Sequence, residues 1–150
     1  ASLAVAFGLG AVGHYPSQNA KANQIASWLS LHTAPSERVF IWGYFPPIYF
    51  LAQRMPATRY LHAGPLFGNF DPHHLQPGFD PSAHLSPRDV SRTLEDLKTY
   101  RPAVIVDTAP ADIHDWSKIP LHKFPSLARY VEEKYRLVAR SGGAAVYQRR

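Results

Sequence analysis

The residues of this chain best equipped for chemistry are histidines and aspartates. His62, Asp71, His73, His74 and His84 fall close together, and imidazole with carboxylate is a ligand set for zinc. Their spacing matches no metal signature, and the adjacent His73 and His74 diverge in extended backbone. The pattern therefore predicts a wet polar loop and no metal. A second group, Asp107, Asp112, His114 and Asp115, has the residue types of general acid–base catalysis, but nothing in the sequence orients them. The turn Gly43-Tyr44-Phe45-Pro46-Pro47 lacks the glycine-rich phosphate fingerprint, and its prolines remove the amide donors that cradle phosphate. There is no G-x-S-x-G elbow. Cysteine is absent, which excludes disulfides and thiol catalysis. No catalytic residue, metal or cofactor is assigned. Asp107 reads first as a strand-end residue capping the next turn.

The elements that position these residues centre on Arg38–Tyr60, RVFIWGYFPPIYFLAQRMPATRY. The continuous apolar run VFIW predicts a strand over Arg38–Gly43, and Gly43 permits a sharp turn. Pro46-Pro47 suits the opening of a short helix at Ile48–Arg54, and Thr58–Ala63 is expected to be a second strand. Trp42, Tyr44, Phe45, Tyr49, Phe50 and Tyr60 are more aromatic bulk than two half-solvated elements need. Some are expected at an interface; the reading that they fill a core poor in aliphatic bulk stays open.

Around that unit, Asn19–His32 carries Ile25, Trp28 and Leu29 at helical spacing. Gly64–Ser86 has no periodicity and reads as a long loop, a class that is usually functional or mobile. Ser86, Pro87 and Asp89 form an N-cap, a first-turn proline and a capping box for a helix over Pro87–Tyr100. Arg88, Arg92, Asp96 and Lys98 are expected to face water. Pro102–Asp107 reads as a strand buried on both faces. Thr108–Lys123 follows as a loop, and Pro125–Lys134 as a helix. The end of the chain is a hairpin turning at Ser141-Gly142-Gly143. This alternation predicts an α/β fold, a three-layer Rossmann-like sandwich with a mostly parallel sheet and a C-terminal antiparallel hairpin. Residues 19–150 form its single domain, with the long loop at 64–86. In such a sheet ligands collect at the carboxyl ends of strands, which places a cleft near Gly43 and Asp107.

Charged residues make up only 18% of the 150 positions, against about 25% for an ordinary soluble domain. Either a partner or headgroup layer covers some surface, or the 14 Pro and 9 Gly reflect uncharged loops. The formal net charge of +5 comes without a basic run or stripe, which points away from nucleic acid as a partner. Residues 1–13, ASLAVAFGLGAVG, carry no charge. They are too short to span a bilayer, and no basic region precedes them. They read as the end of a transmembrane helix or as an apolar segment of the domain. His14-Tyr15-Pro16 suits a membrane interface.

The stretches ERVFIWGYFPPIYFLAQRMPATRYLHAGPL, LKTYRPAVIVDTAP and FPSLARYVEEKYRLVARSGGAAVYQRR, in that order, resemble the C-terminal soluble region of bacterial membrane glycosyltransferases. These are the relatives of protein mannosyltransferases and of the lipid A aminoarabinose transferase. The resemblance covers about residues 19–150. It implies a multi-pass parent in the cell membrane that takes sugar from a polyprenyl-phosphate donor, with this domain on the extracytoplasmic side. The family's catalytic carboxylates lie in the membrane part, so none carries over to a position here. The implied role is non-catalytic: stabilising the membrane core or assisting acceptor binding. Implied partners are the membrane-embedded portion of the same polypeptide and a glycan, lipid-linked sugar or acceptor. Candidate ligand or interface residues are Trp42, Tyr44, Phe45, Tyr49, His62, Asp107 and Trp116. Tyr44, Phe45, Trp116 and the loop 64–86 are expected to be exposed. The alternative is a small self-contained enzyme using the cleft near Gly43 and Asp107; a pocket in which Asp107 faces His62 or His114 would favour it.

Overall fold

A computed structural model describes residues 16–150; the expectations for residues 1–13 lie outside them. Helix α1 (Pro16–His32) leads into strand β1 (Val39–Trp42) and the short helix α2 (Pro47–Ala52). Helix α3 (Pro87–Tyr100), strand β2 (Val104–Asp107), helix α4 (Pro125–Lys134) and the hairpin β3 (Tyr135–Ser141)–β4 (Ala144–Arg149) complete the order. Among the described residues no helix is long and apolar enough to cross a membrane.

The sheet is small and mixed, with four strands in the order β1-β2-β4-β3. Only β1 and β2 pair in parallel; β4 pairs antiparallel with both β2 and β3. This corrects the expected mostly parallel Rossmann-like sandwich. The cause is the hairpin. Strands β1, β2 and β3 point the same way, as alternating strand–helix winding requires, but β4 folds back and inserts between β2 and β3. A two-glycine turn at Gly142 and Gly143, both at positive φ, allows that tight reversal.

Both faces of the sheet are covered. Val39, Ile41, Val104, Val106, Ala144 and Val146 pack with Ile25 and Leu29 of α1 and Ile48 and Ala52 of α2. On the other face Phe40, Trp42, Ile105 and Tyr135 meet Leu97 of α3 and Leu127 and Val131 of α4. Every residue of β1 and β2 is buried, which explains their unbroken apolar runs.

Thr58–Ala63, expected as a strand, is a chain of bends. Side chains of α3 take its polar groups in place of a ladder. Asp96 accepts from the Arg59 amide (2.9 Å) and from both arms of its guanidinium (2.9 and 2.8 Å). Tyr60 Oη donates to Asp89 Oδ1 at 2.5 Å. Asp96 is therefore buried rather than facing water. The neighbouring residues still guard the sheet edge: Val39 donates to the Met55 carbonyl, and Ala57 donates back to Val39. That contact covers an otherwise open edge strand.

Ser86 is the N-cap of α3 as expected. The reciprocal half of the capping box is not formed, because the Ser86 amide donates to the Leu66 carbonyl and Asp89 takes the Ser86 hydroxyl instead. Asp89 N donates to Ser86 Oγ at 3.3 Å, and Ser86 Oγ donates to Asp89 Oδ2 at 2.5 Å. These bonds, from Ser86 first and then Tyr60 and Arg88, hold the Asp89 carboxyl far below the usual carboxylate range. The loop 64–86 is built from three 3-10 turns, Gly64–Leu66, Pro72–His74 and Pro81–His84. Asp71 and Asp80 each cap one, accepting from the amides of His73 and Ser82. The two Asp-Pro steps are thus turn starts.

Candidate functional site

The carboxyl ends of β1 and β2 release the chain into Gly43–Phe45 and into Thr108–Lys118, and these two exits meet the loop 64–86. Gly43 is required where it stands. A Cβ there would lie 2.2 Å from Thr108 Oγ1, and that hydroxyl donates to the Trp42 carbonyl at 2.8 Å. The expected space between Gly43 and Asp107 is therefore filled by Thr108.

Beyond this plug the side chains form a continuous surface. Tyr44 is half-buried, edge-on to His62 (4.7 Å between ring centres) and stacked over Trp116 (6.0 Å). Phe45 packs against His114 at 5.2 Å, and His114 against His73 at 5.3 Å. His73 Nδ1 meets Asp115 Oδ2 at 2.5 Å, tying the long loop to the segment after β2. Gln18, in the first turn of α1, binds both sides of that segment. Its amide nitrogen donates to the Asp112 carbonyl (3.4 Å), and its oxygen accepts from His114 N (3.1 Å). Gln18, His73, His114 and Asp115 line a hollow of about 310 Å³. Asp112, His114 and Asp115 all sit at positive φ, between 52° and 58°. Left-handed backbone at non-glycine residues costs roughly 1–3 kcal/mol each and gathers at functional sites.

Burial lowers the affinity of His62 for a proton; burial, then the neighbouring His73, does the same at His114. The hydrogen bond from His73 holds the Asp115 carboxyl below its ordinary range. The sign follows: groups depressed in the folded state contribute stability above their unfolded pKa and lose it as pH falls through the folded value. For the two histidines that loss begins below pH 6.5. The melting temperature is expected to fall between pH 6.5 and 5, and His62→Gln is expected to reduce that fall. An unchanged pH profile in the variant would contradict it.

The remaining sequence candidates are buried or lie elsewhere, and Trp116, expected to be exposed, is buried beneath Tyr44. Trp42 and Tyr49 are core residues, with Tyr49 Oη accepting from the Ile41 amide at 2.9 Å. Trp116 is 0% exposed, and its indole N–H meets no acceptor among the described residues. In Arg38–Tyr60 the outward-facing aromatic is Phe50, 81% exposed, which the sequence reading did not single out as a site. His74 and His84 are exposed loop residues. Among the described residues no group of histidine and carboxylate side chains is placed to hold a metal.

Asp107 is buried and looks toward the other face. Its Oδ1 accepts from Ala109 N (2.9 Å) and its Oδ2 from Leu121 N (3.2 Å). Burial nevertheless pushes its carboxyl above the ordinary range. It borders a cavity of about 470 Å³ with His122, Glu132 and Tyr147, whereas His114 lines the separate hollow beside α1. Asp107 and His114 thus line different hollows. Asp107 acts as a clamp on two loop amides. Asp107→Asn keeps one acceptor and turns an NH₂ toward the other amide. It is expected to cost about 1–2 kcal/mol, and Asp107→Ala more, since each stranded buried amide costs roughly 1–3 kcal/mol. Denaturant melts giving the reverse order would refute the clamp.

No family model, curated protein or solved structure matches this chain.

Proposed function

We propose that this chain is the non-catalytic, extracytoplasmic domain of a membrane glycosyltransferase that uses a polyprenyl-phosphate sugar donor. Its Tyr44–Phe45–His114 face docks on the membrane-embedded portion of the same polypeptide. The observation that carries this reading is the clamp between Gln18 and residues 112–114. It fixes the first described turn of α1 beside the half-buried aromatics of this face. The resemblance of residues 19–150 to the soluble region of these transferases agrees with it. Three left-handed residues at one loop junction hold the side chains in a set arrangement, as a docking surface requires.

In membranes containing the full-length polypeptide, Phe45→Asp is expected to lower sugar transfer at least about tenfold, because a buried unpaired charge disrupts an apolar interface. Leu137→Asp, on an exposed strand position, leaves transfer unchanged. Equal activity of Phe45→Asp and wild type would overturn the docking assignment. Sugar transfer by the 150-residue chain alone would overturn the non-catalytic one.

A further inference from the structure

Six cations scattered through the sequence, Arg38, Lys98, Arg101, Lys134, Arg149 and Arg150, converge in the fold. Arg38 precedes β1, Arg101 precedes β2, Lys134 precedes β3, and Arg149 and Arg150 end β4. Because β1, β2 and β3 run one way and β4 the other, those four termini share one edge of the sheet. Lys98 joins them from the last turn of α3. This is the edge opposite the Tyr44–Phe45–His114 face. Five of the six are exposed and Arg38 is half-buried. Among the described residues none of them forms an ion pair with a carboxylate.

Two hollows, of about 340 and 320 Å³, open side by side on this edge, and Arg101 and Arg149 line both. The first also contains Lys98, Lys134, Arg150 and Glu133; the second contains Arg38 and Glu37. Some of the charge has a structural use. Lys98 and Lys134 complement helix C-termini, Arg149 donates to the Arg101 carbonyl, and Arg150 Nε donates to Tyr135 O. A single bond from each of those last two guanidinium groups leaves most of its N–H fork uncommitted.

We propose that this basic edge binds an acidic oligosaccharide, with one anionic group in each hollow and Arg101 and Arg149 between them. Guanidinium forks match carboxylate geometry bidentately. The single carboxylate in each hollow repels a continuous polyphosphate but accepts hydrogen bonds from sugar hydroxyls. Among the described residues Tyr100, 46% exposed, is the exposed aromatic of this edge, and one ring alone does not make the run of stacking platforms that successive nucleic-acid bases use. Arg38 lies 4.1 Å over the Tyr100 ring, and the hydroxyls of Tyr130 and Tyr135 are turned inward onto the carbonyls of Leu97 and Pro102. Two concave hollows also suit discrete anionic groups better than a flat headgroup layer. The proposal does not depend on the docking face.

The test is calorimetric titration of the full 150-residue chain, in nonionic micelles at low salt, with trigalacturonate. Saturable binding is expected, with maltotriose inert. The Arg101→Asn/Arg149→Gln protein is expected to bind at least about tenfold more weakly, the loss usual for charge-assisted contacts. Asparagine is chosen because it tolerates the left-handed conformation of Arg101 (φ 44°). Arg129→Gln, an exposed cation away from the hollows, retains binding. Circular dichroism checks folding, and Lys134→Gln serves with the same expected loss if the double variant fails to fold. Equal binding of maltotriose, undiminished binding by the variants, or no binding at millimolar trigalacturonate would overturn the proposal. Tighter binding of oligothymidylate or of anionic vesicles would overturn the choice of an acidic glycan.

Discussion

Trp42→Ala is expected to lower the free energy of unfolding by about 3–5 kcal/mol, the range for removing a large buried aromatic. Trp42 is fully buried at the end of β1. Its ring packs edge-on against Phe124 (4.5 Å), Trp116 (6.1 Å) and Phe40 (6.4 Å). Its indole N–H donates to the Ile119 carbonyl at 2.9 Å, tying the loop after β2 to the sheet. Truncation empties the centre of this cluster and strands a buried carbonyl. The loss includes the floor under Trp116 and Tyr44, so the face above should loosen as well. Denaturant unfolding gives the magnitude, and near-UV circular dichroism should report a collapse of the aromatic signal. A loss below about 1 kcal/mol, the scale of an ordinary surface change, would mean that Trp42 is not the centre of this core.

Arg54→Ala is expected to cost about 3 kcal/mol, because hydrogen bonds from a charged donor are worth roughly 1.5–3 kcal/mol and several are lost together. Arg54 is buried and has no carboxylate partner among the described residues. Its guanidinium instead closes the ends of two helices. Nη2 donates to the carbonyls of Ser30 (3.2 Å) and Thr33 (2.7 Å) at the end of α1. Nη1 donates to those of Ala52 and Gln53 (both 3.1 Å) at the end of α2, and Nε donates to Thr33 Oγ1 (2.8 Å). Helix C-termini carry unsatisfied carbonyls and partial negative charge, and one planar fork serves both. Lysine has three donors on a single atom and cannot span the two ends. Arg54→Lys should therefore recover only a minority of the loss. A lysine variant as stable as wild type would refute the double cap.

Arg54 also marks the limit of sequence reading. Its local position, at the end of a short apolar helix, is legible, whereas its partners on α1 come from tertiary folding. The same division runs through the chain. The helix at Pro87–Tyr100 announces itself because Ser86, Pro87 and Asp89 are adjacent capping residues. The strands at Val39–Trp42 and Val104–Asp107 do so through unbroken apolar runs. The expected strand at Thr58–Ala63 failed because Asp96 and Asp89, far off in sequence, take its polar groups. The mostly parallel sheet failed because a hairpin signal says that two strands pair, not where the pair inserts.

For the site, Tyr44 and Phe45 were legible as residues leaving a strand end, and His62, His73, His114 and Asp115 as candidate chemistry. Their convergence through Gln18 was not, since loop-to-loop contacts leave no periodicity. The composition carried the net charge of +5 but gave no sign that four strand termini would collect it on one edge.

The docking claim is tested most directly by site-specific photocross-linking in membranes that contain the full-length polypeptide. A benzophenone side chain replaces Phe45 in one sample and exposed Arg129 in another. The account predicts an intramolecular cross-link from position 45 to a membrane-embedded segment of the same chain, and none from position 129. Cross-linking from position 129 alone, or from neither position, would contradict it.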